Sequence, residues 1–381
     1  MSANDVPRSA SASSPILPPS AAHVPGPTAF GFSSPGSPAP AADSVSGSVH
    51  TGPAGSRSAP PGPAGASRIS PSRSGSPHWP ADDRTARADP LAVFRRIVPR
   101  DRALLGLLAE HYLLSTTQIA AAFFDSRRVA QRRLTTLHRL GIVHRFAYPN
   151  AEHTAVPYLY TLGPVGLQLH PDAYTDPDGR HPKAPRSSIE LARRIAASAT
   201  AAHLLGVNQF FIDLIAAARR HPALAGTGGG GAAGARLVRW WSEQHATDVY
   251  ASSGIRPDGH GIWHAHDHTV GFFLEHDRGT EDLPRVVAKL RSYARLAEFG
   301  PRYPVLLWLP TPDREANVLR LLTGVRTPMP VATAVHGPDP AGRIWTLASD
   351  LPASPGRRRR LHELPSDHGP RSGTNPGRYN H

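Results

Sequence analysis

Carboxylates in the C-terminal half are spaced as metal-dependent phosphate chemistry requires. Asp258 follows Pro257 just ahead of an apolar stretch, and Glu275 and Asp277 close the next one, in the run Phe273-Leu274-Glu275-His276-Asp277. Alternation along a strand puts Glu275 and Asp277 on one face and His276 on the other. Paired carboxylates at a strand end can hold Mg²⁺, which takes oxygen ligands and keeps several waters. The metal would lower the pKa of a bound water and neutralise a phosphate in the transition state. The candidate metal ligands are Glu243, Asp258 and Glu275. The candidate catalytic set is Asp258, Glu275, Asp277 and Lys289, with Lys289 (or Arg278) supplying the positive charge. A second reading pairs the same carboxylates with Arg256, Arg278 and Arg285, and surface pairs of that kind contribute little. His264, His266 and His268 surround a hairpin turn in a chain with 21 histidines, so they are not read as a zinc site.

A basic cluster lies earlier in the chain. Arg127, Arg128, Gln131, Arg132, Thr135 and Arg139 share one face of a helix expected over 127–140, with Val129, Leu134, Leu137 and Leu140 on its buried side. Arg145 follows on a strand. Such a helix can enter the major groove, where arginines pair with guanine edges and phosphates. Between residues 91 and 170, ten arginines face four acidic residues. The alternative for this face is protein contact through solvated arginines, and the arginine density favours DNA.

Elements that would position these residues follow from periodicity. Leu104, Leu105, Leu108 and Tyr112 mark a helix over Asp101–Leu114. Ser115 N-caps a second helix, Thr116–Phe124, with Ile119 and Phe123 inward. After Asp125 and Ser126 comes the arginine helix, which Gly141 ends in a left-handed position. A strand over Ile142–Phe146, a turn at Pro149 and Asn150, a strand over Val156–Thr161 and a short helix over Gly163–Leu169 complete a winged helix-turn-helix, residues 90–170. A Pro-rich linker, 171–186, follows. Then come a helix over 187–220, a Gly-rich break at 226–234 and a strand over Leu237–Ser242. A hairpin reaches from Ile262 to Glu275, followed by a helix over Leu283–Phe299, a strand over Val305–Leu309, a helix over Asp313–Leu322 and a strand over Val331–Val335. This αβββαβ order is that of a restriction-endonuclease-like core, residues 187–348, so the class is α+β to α/β. Residues 1–88, dominated by Ser, Pro, Ala and Gly, bury too little apolar surface to fold and are expected to be disordered. The same holds for a basic tail over 352–381, whose Arg357–Arg360 would add non-specific phosphate affinity.

Composition sets outer bounds. The chain has 381 residues and a net charge of +13, and its basic residues are arginine except Lys183 and Lys289. That sign favours a polyanionic partner. The absence of cysteine excludes disulfides, thiolate zinc sites and thiol nucleophiles. No apolar run approaches the roughly 18 residues that span a bilayer. No secretory pattern opens the chain. The expected location is cytoplasmic, with no membrane partner.

The C-terminal motifs resemble the PD-(D/E)xK nuclease superfamily, with Asp277 standing where that pattern has lysine. Both regions together resemble the replication-relaxation family. Carrying the resemblance are Ser115-Thr116-Thr117-Gln118-Ile119, Leu137-His138-Arg139-Leu140-Gly141-Ile142-Val143, Tyr160-Thr161-Leu162-Gly163, His203, Val207-Asn208-Gln209-Phe210, Trp241–Glu243, Arg256-Pro257-Asp258-Gly259, Phe273–Glu281, Lys289-Leu290 and Tyr293. The resemblance implies a DNA-binding protein that maintains or mobilises a plasmid or other mobile element. Two activities are compatible with it: a Mg²⁺-dependent DNA-nicking nuclease, or a non-enzymatic regulator or relaxase accessory factor with a degenerate core. Double-stranded DNA is the expected partner, with a homodimer and replication or relaxase proteins as further candidates. His203 and Asn208 read as polar residues bonded to the neighbouring sheet; sequence places no partner for a catalytic His203. Tyr158, Tyr160 and Tyr293 come without the metal-binding histidine triad a tyrosine relaxase needs.

Overall fold

Leucine spacing builds the first helix. In the structure, a computed structural model that describes residues 93, 95–148, 157–174, 187–220, 234–351 and 356–367, α1 (Pro99–His111) buries Leu104, Leu105 and Leu108. It stops three residues before the expected end, because Tyr112 turns to φ 64° and Leu114–Ser115 leaves as strand β1. Ser115 then caps α2 (Thr116–Phe123) in a reciprocal box: its Oγ accepts from the Gln118 N–H at 3.2 Å, and its own N–H donates to Gln118 Oε1 at 2.8 Å. Ser126 caps α3 (Arg127–Arg139). Gly141 has φ 69°, the left-handed conformation that lets the chain reverse into β2 (Val143–Phe146). β2 pairs antiparallel with β3 (Leu159–Leu162), which also pairs with β1, giving the order β1-β3-β2. The short helix α4 (Pro164–Leu169) closes this part. The expected turn at Pro149 and Asn150, most of the 171–186 linker, the Gly-rich break up to Ala233 and residues 1–88 lie outside the described residues.

The long helix expected over 187–220 is two helices, α5 (Ser188–Ala197) and α6 (Ala201–Arg220). The break has a local cause. Ser198 Oγ accepts from the Thr200 N–H at 3.1 Å, a side-chain bond that competes with helix continuation.

Six strands form the second sheet, in the order β4-β5-β6-β7-β8-β9. β4 (Arg236–Ser242), β5 (Gly259–Ala265) and β6 (His268–His276) run antiparallel. His266 and Asp267 both have positive φ and form the two-residue turn between β5 and β6. β6, β7 (Val305–Leu309) and β8 (Val331–Val335) run parallel, joined by α8 (Leu283–Phe299) and α9 (Pro312–Leu322). Such crossovers cover a parallel sheet, and β7 is buried along its whole length. Besides β1, the sequence did not foresee α7 (Glu243–Val249) directly after β4 or the antiparallel edge strand β9 (Thr346–Leu347).

Residues 356–367, expected to belong to a disordered tail, are bound to the fold. Arg358 grips the buried Glu315 through two bonds of 2.6 and 3.0 Å, and Arg359 grips Asp350 through two of 2.9 Å. The buried Glu315 and the partly buried Asp350 explain the order here, which composition could not reveal.

Helix α6 is the one described helix long and apolar enough by composition to cross a membrane. Phe210, Phe211, Ile212 and Leu214 on it are buried in the core, and the Phe210 ring lies 5.3 Å from Trp308 and 5.9 Å from Phe272. One continuous apolar core runs from α1, α2 and α3 through α6 to the six-stranded sheet. Polar bonds reinforce it: Gln118 donates to the Leu205 carbonyl at 2.9 Å and Asn208 to the Leu113 carbonyl at 2.7 Å. Asn208 therefore bonds the segment after α1 and not, as expected, the neighbouring sheet.

Candidate functional site

The arginine face lies on α3. Arg127, Arg128, Gln131, Arg132 and Arg139 are exposed and Thr135 is half-buried. Ala130, Leu134 and Leu137, spaced along one stripe, turn the opposite side inward. Val129, expected on the buried side, is 41% exposed, since it falls a helical step off that stripe, and Leu140 is only partly buried. Among the described residues no carboxylate pairs with Arg127, Arg128, Arg132 or Arg139. Arg133 behaves differently: it turns back to the buried Asp101, whose carboxylate raises the guanidinium pKa, and donates to the Arg96 carbonyl at 3.0 Å. The first turn of α3 holds no acidic residue. Two arginines beside the positive end of a helix are unfavourable until an anion arrives.

Arg145 reaches the same face from β2. Its guanidinium lies over the Tyr158 ring at 4.7 Å, and its Nε–H is buried with no acceptor among the described residues. Between α3 and the β2–β3 pair opens a cleft of about 300 Å³.

The carboxylates gather at the other end of α6. Glu275, at the end of β6, is 5% exposed. It accepts from Lys289 Nζ at 3.0 Å and from the Tyr293 hydroxyl at 2.5 Å, both on α8. Burial raises its pKa to about 7, the Asp258 charge adds to this, and Lys289 and Tyr293 offset it only in part. Burial would lower the Lys289 pKa, but Glu275 outweighs it and the net shift is upward. The Tyr293 hydroxyl is raised well above its ordinary range by burial and Glu275. Lys289 also lies 3.2 Å from Glu281. So the displaced lysine expected from sequence does reach Glu275.

Asp258, just ahead of β5, spends both oxygens on protein donors. The His276 N–H donates to Oδ2 at 2.6 Å, and His203 Nε2 stands 3.0 Å from Oδ1. Burial alone would deprotonate His203; the Asp258 hydrogen bond reverses this and raises its pKa. His276 stacks on His336 at 4.6 Å, and burial pushes its pKa down to about 3. Gly206 of α6 leaves room for that ring, since a Cβ there would stand 2.5 Å from His276 Nε2.

Two expected members have partners of their own, although Asp277 lines the same small cavity as Glu275. Asp277 pairs with Arg314 of α9 and accepts from the Gly279 N–H at 2.7 Å. Glu243 opens α7, where it is exposed and pairs with Arg256 at 3.2 Å. His203, for which the sequence placed no partner, Tyr293, weighed there only as a relaxase tyrosine, and Glu281 join the cluster. For Tyr293 a signal existed: it stands one turn after Lys289 on the same helix.

In this structure the cluster is closed by its own hydrogen bonds. The oxygens of Asp258 and Glu275 already accept from protein donors, and among the described residues no three His, Cys, Asp or Glu converge on one point. The cavity against Glu275 offers about 20 Å³, room for about one water, whereas Mg²⁺ keeps several.

A model of the family described as replication-relaxation matches residues 105–305. No curated protein matches the chain, and no solved structure does.

Proposed function

The chain belongs to the replication-relaxation family, and from that premise we propose that it binds double-stranded DNA of a plasmid or other mobile element through α1–α3 and the β2–β3 pair acting as a winged helix-turn-helix. One observation carries this reading: the exposed face of α3 presents Arg127, Arg128, Arg132 and Arg139 with no carboxylate partner among the described residues. Unpaired arginines crowded on one helix repel each other, and a phosphate backbone removes that repulsion while releasing counterions. Helix α3 enters the major groove N-terminus first, with Gln131 and Thr135 facing base edges. Arg145 extends the contact towards the neighbouring backbone.

The test is the salt dependence of duplex binding, read by fluorescence anisotropy. Each phosphate contact contributes about 0.9 to the slope of log affinity against log salt, so Arg128→Ala/Arg132→Ala/Arg139→Ala should flatten it by about 2.7. An unchanged slope and affinity would remove α3 from the interface. A second reading, DNA nicking, draws on Lys289 beside Glu275. Nicked supercoiled plasmid from wild type with Mg²⁺ or Mn²⁺, absent with Asp258→Ala/Glu275→Ala, would establish it. Binding without nicking in both leaves the arginine face as the functional part.

A further inference from the structure

We propose that the cleft between α3 and the β2–β3 pair receives a single unpaired nucleotide swung out of the bound DNA; the inference rests on the duplex-binding reading above. The cleft is lined by Arg127, Gln131 and Thr135 of α3, Arg145 of β2, and Tyr158 and Tyr160 at β3. Among the described residues no carboxylate lines it. Two guanidiniums, a carboxamide and hydroxyls supply donors for an anionic, acceptor-rich guest, and a nucleotide offers phosphate oxygens and base carbonyls.

Three observations single out a nucleotide over a bare backbone phosphate. The first is size: about 300 Å³ reaches the range of small-molecule sites, roughly 300–1,000 Å³, far beyond the need of one phosphate group. The second is shape. Tyr158 and Arg145, already stacked on each other at 4.7 Å, both line the cleft, and the faces of aromatic rings and guanidinium planes that remain free accept an unstacked base. Third, the Nε–H of Arg145 is buried with no acceptor among the described residues. A buried donor in that state costs free energy until an acceptor reaches it.

Placement completes the case. Arg127, Gln131 and Thr135 recur at every fourth residue, so the cleft opens beside the face that meets the major groove. Bases paired within a duplex present only their edges there. A recess with flat walls behind that surface suits a base that has left the stack, which costs least where the base lacks a partner.

The experiment uses the full chain and two matched DNAs: a perfect duplex, and the same duplex with one bulged nucleotide, 2-aminopurine. Stacking a base on an aromatic ring changes affinity by about 5- to 150-fold. Wild type is expected to bind the bulged duplex about tenfold more tightly and to quench its fluorescence. Tyr158→Ala should abolish the preference and the quenching and leave perfect-duplex affinity unchanged, whereas Tyr158→Phe keeps both. If Tyr158→Ala does not fold, Tyr158→Leu, which keeps apolar bulk without a planar ring, should abolish the preference and the quenching. Equal affinity for the two DNAs without quenching overturns the inference and leaves duplex binding standing. Failure to bind either DNA brings down the duplex reading and the inference with it. Saturable binding of free dTMP with no bulge preference would make the cleft an effector site, and would also overturn it.

Discussion

His111→Phe tests how the three-helix head is fastened to the six-stranded sheet. His111, the last residue of α1, is 1% exposed and stacks on Trp240 of β4 with ring centroids 3.7 Å apart. Burial drives its pKa from 6.5 down to about 3, against the pull of Glu110. The sign follows from linkage. A folded-state pKa below the unfolded one means the unfolded chain binds the proton more tightly. Stability is therefore complete above about pH 7.5 and is lost as pH falls through 6.5 towards 3. At about pH 5 the loss from this one imidazole is about 2 kcal/mol. Phenylalanine keeps the stack and removes the titration, as well as a buried Nε2 that has no hydrogen-bond partner among the described residues. Near pH 7.5 the variant should lie within about 1 kcal/mol of wild type. Urea unfolding of both proteins across this pH range gives the difference, in which distant groups such as Glu275 and His276 cancel. Parallel stability curves would refute the argument and show that His111 is hydrated or charged in the fold.

Two other substitutions report on separate joints. Gly206→Ala places a methyl 2.5 Å from His276 Nε2 and should cost about 1–3 kcal/mol, visible as a lower Tm, with His276→Ala in the same chain restoring part of it. Arg358→Ala strands the buried Glu315 and should cost towards the lower end of about 3–5 kcal/mol, because Arg358 itself is half-exposed. Adding Glu315→Gln should recover part of that loss; no recovery would mean the tail segment matters through packing alone.

Sequence made the regular elements legible where periodicity was strong and the ends were punctuated. Helix α8 and strands β7 and β8 occupy the expected residues, framed by Asp282 and Gly300 and by prolines. Ser115 was recognisable because a cap with a glutamine three residues on is a local chemical signal. Long-range pairings were not legible. His203 and Asp258 meet at 3.0 Å through the packing of α6 against the sheet, and no spacing rule encodes that contact. Lys289 was found because one helix carries it past the end of β6, but Tyr293 and Arg314, which hold Glu275 and Asp277, needed the packed helices. Composition misread 356–367 for a related reason: arginines without visible acids look solvated until Glu315, 43 residues away from Arg358, is found beneath them.

Helix α6 gives these contacts a common mechanical sense. At its N-terminal end His203 bonds Asp258, and Gly206 packs on His276. At its C-terminal end Arg219 donates to the carbonyls of Ala121 and Phe124 at 2.9 and 3.0 Å and pairs with Asp125. Those three residues form the end of α2 and the turn that launches α3. The orientation of the arginine helix is therefore fixed from beneath by the helix whose other end touches the carboxylate cluster. Between the two ends, Phe210 and Phe211 lock α6 into the shared core. A rigid element of 20 residues spans about 30 Å, so the cluster stands a fixed distance from the arginine face of α3. Changing that distance requires breaking apolar packing along the whole helix, which a loop-linked pair of domains would not require. The turn that launches α3 and the Asp258–His276 corner are thus held by opposite ends of one stiff helix.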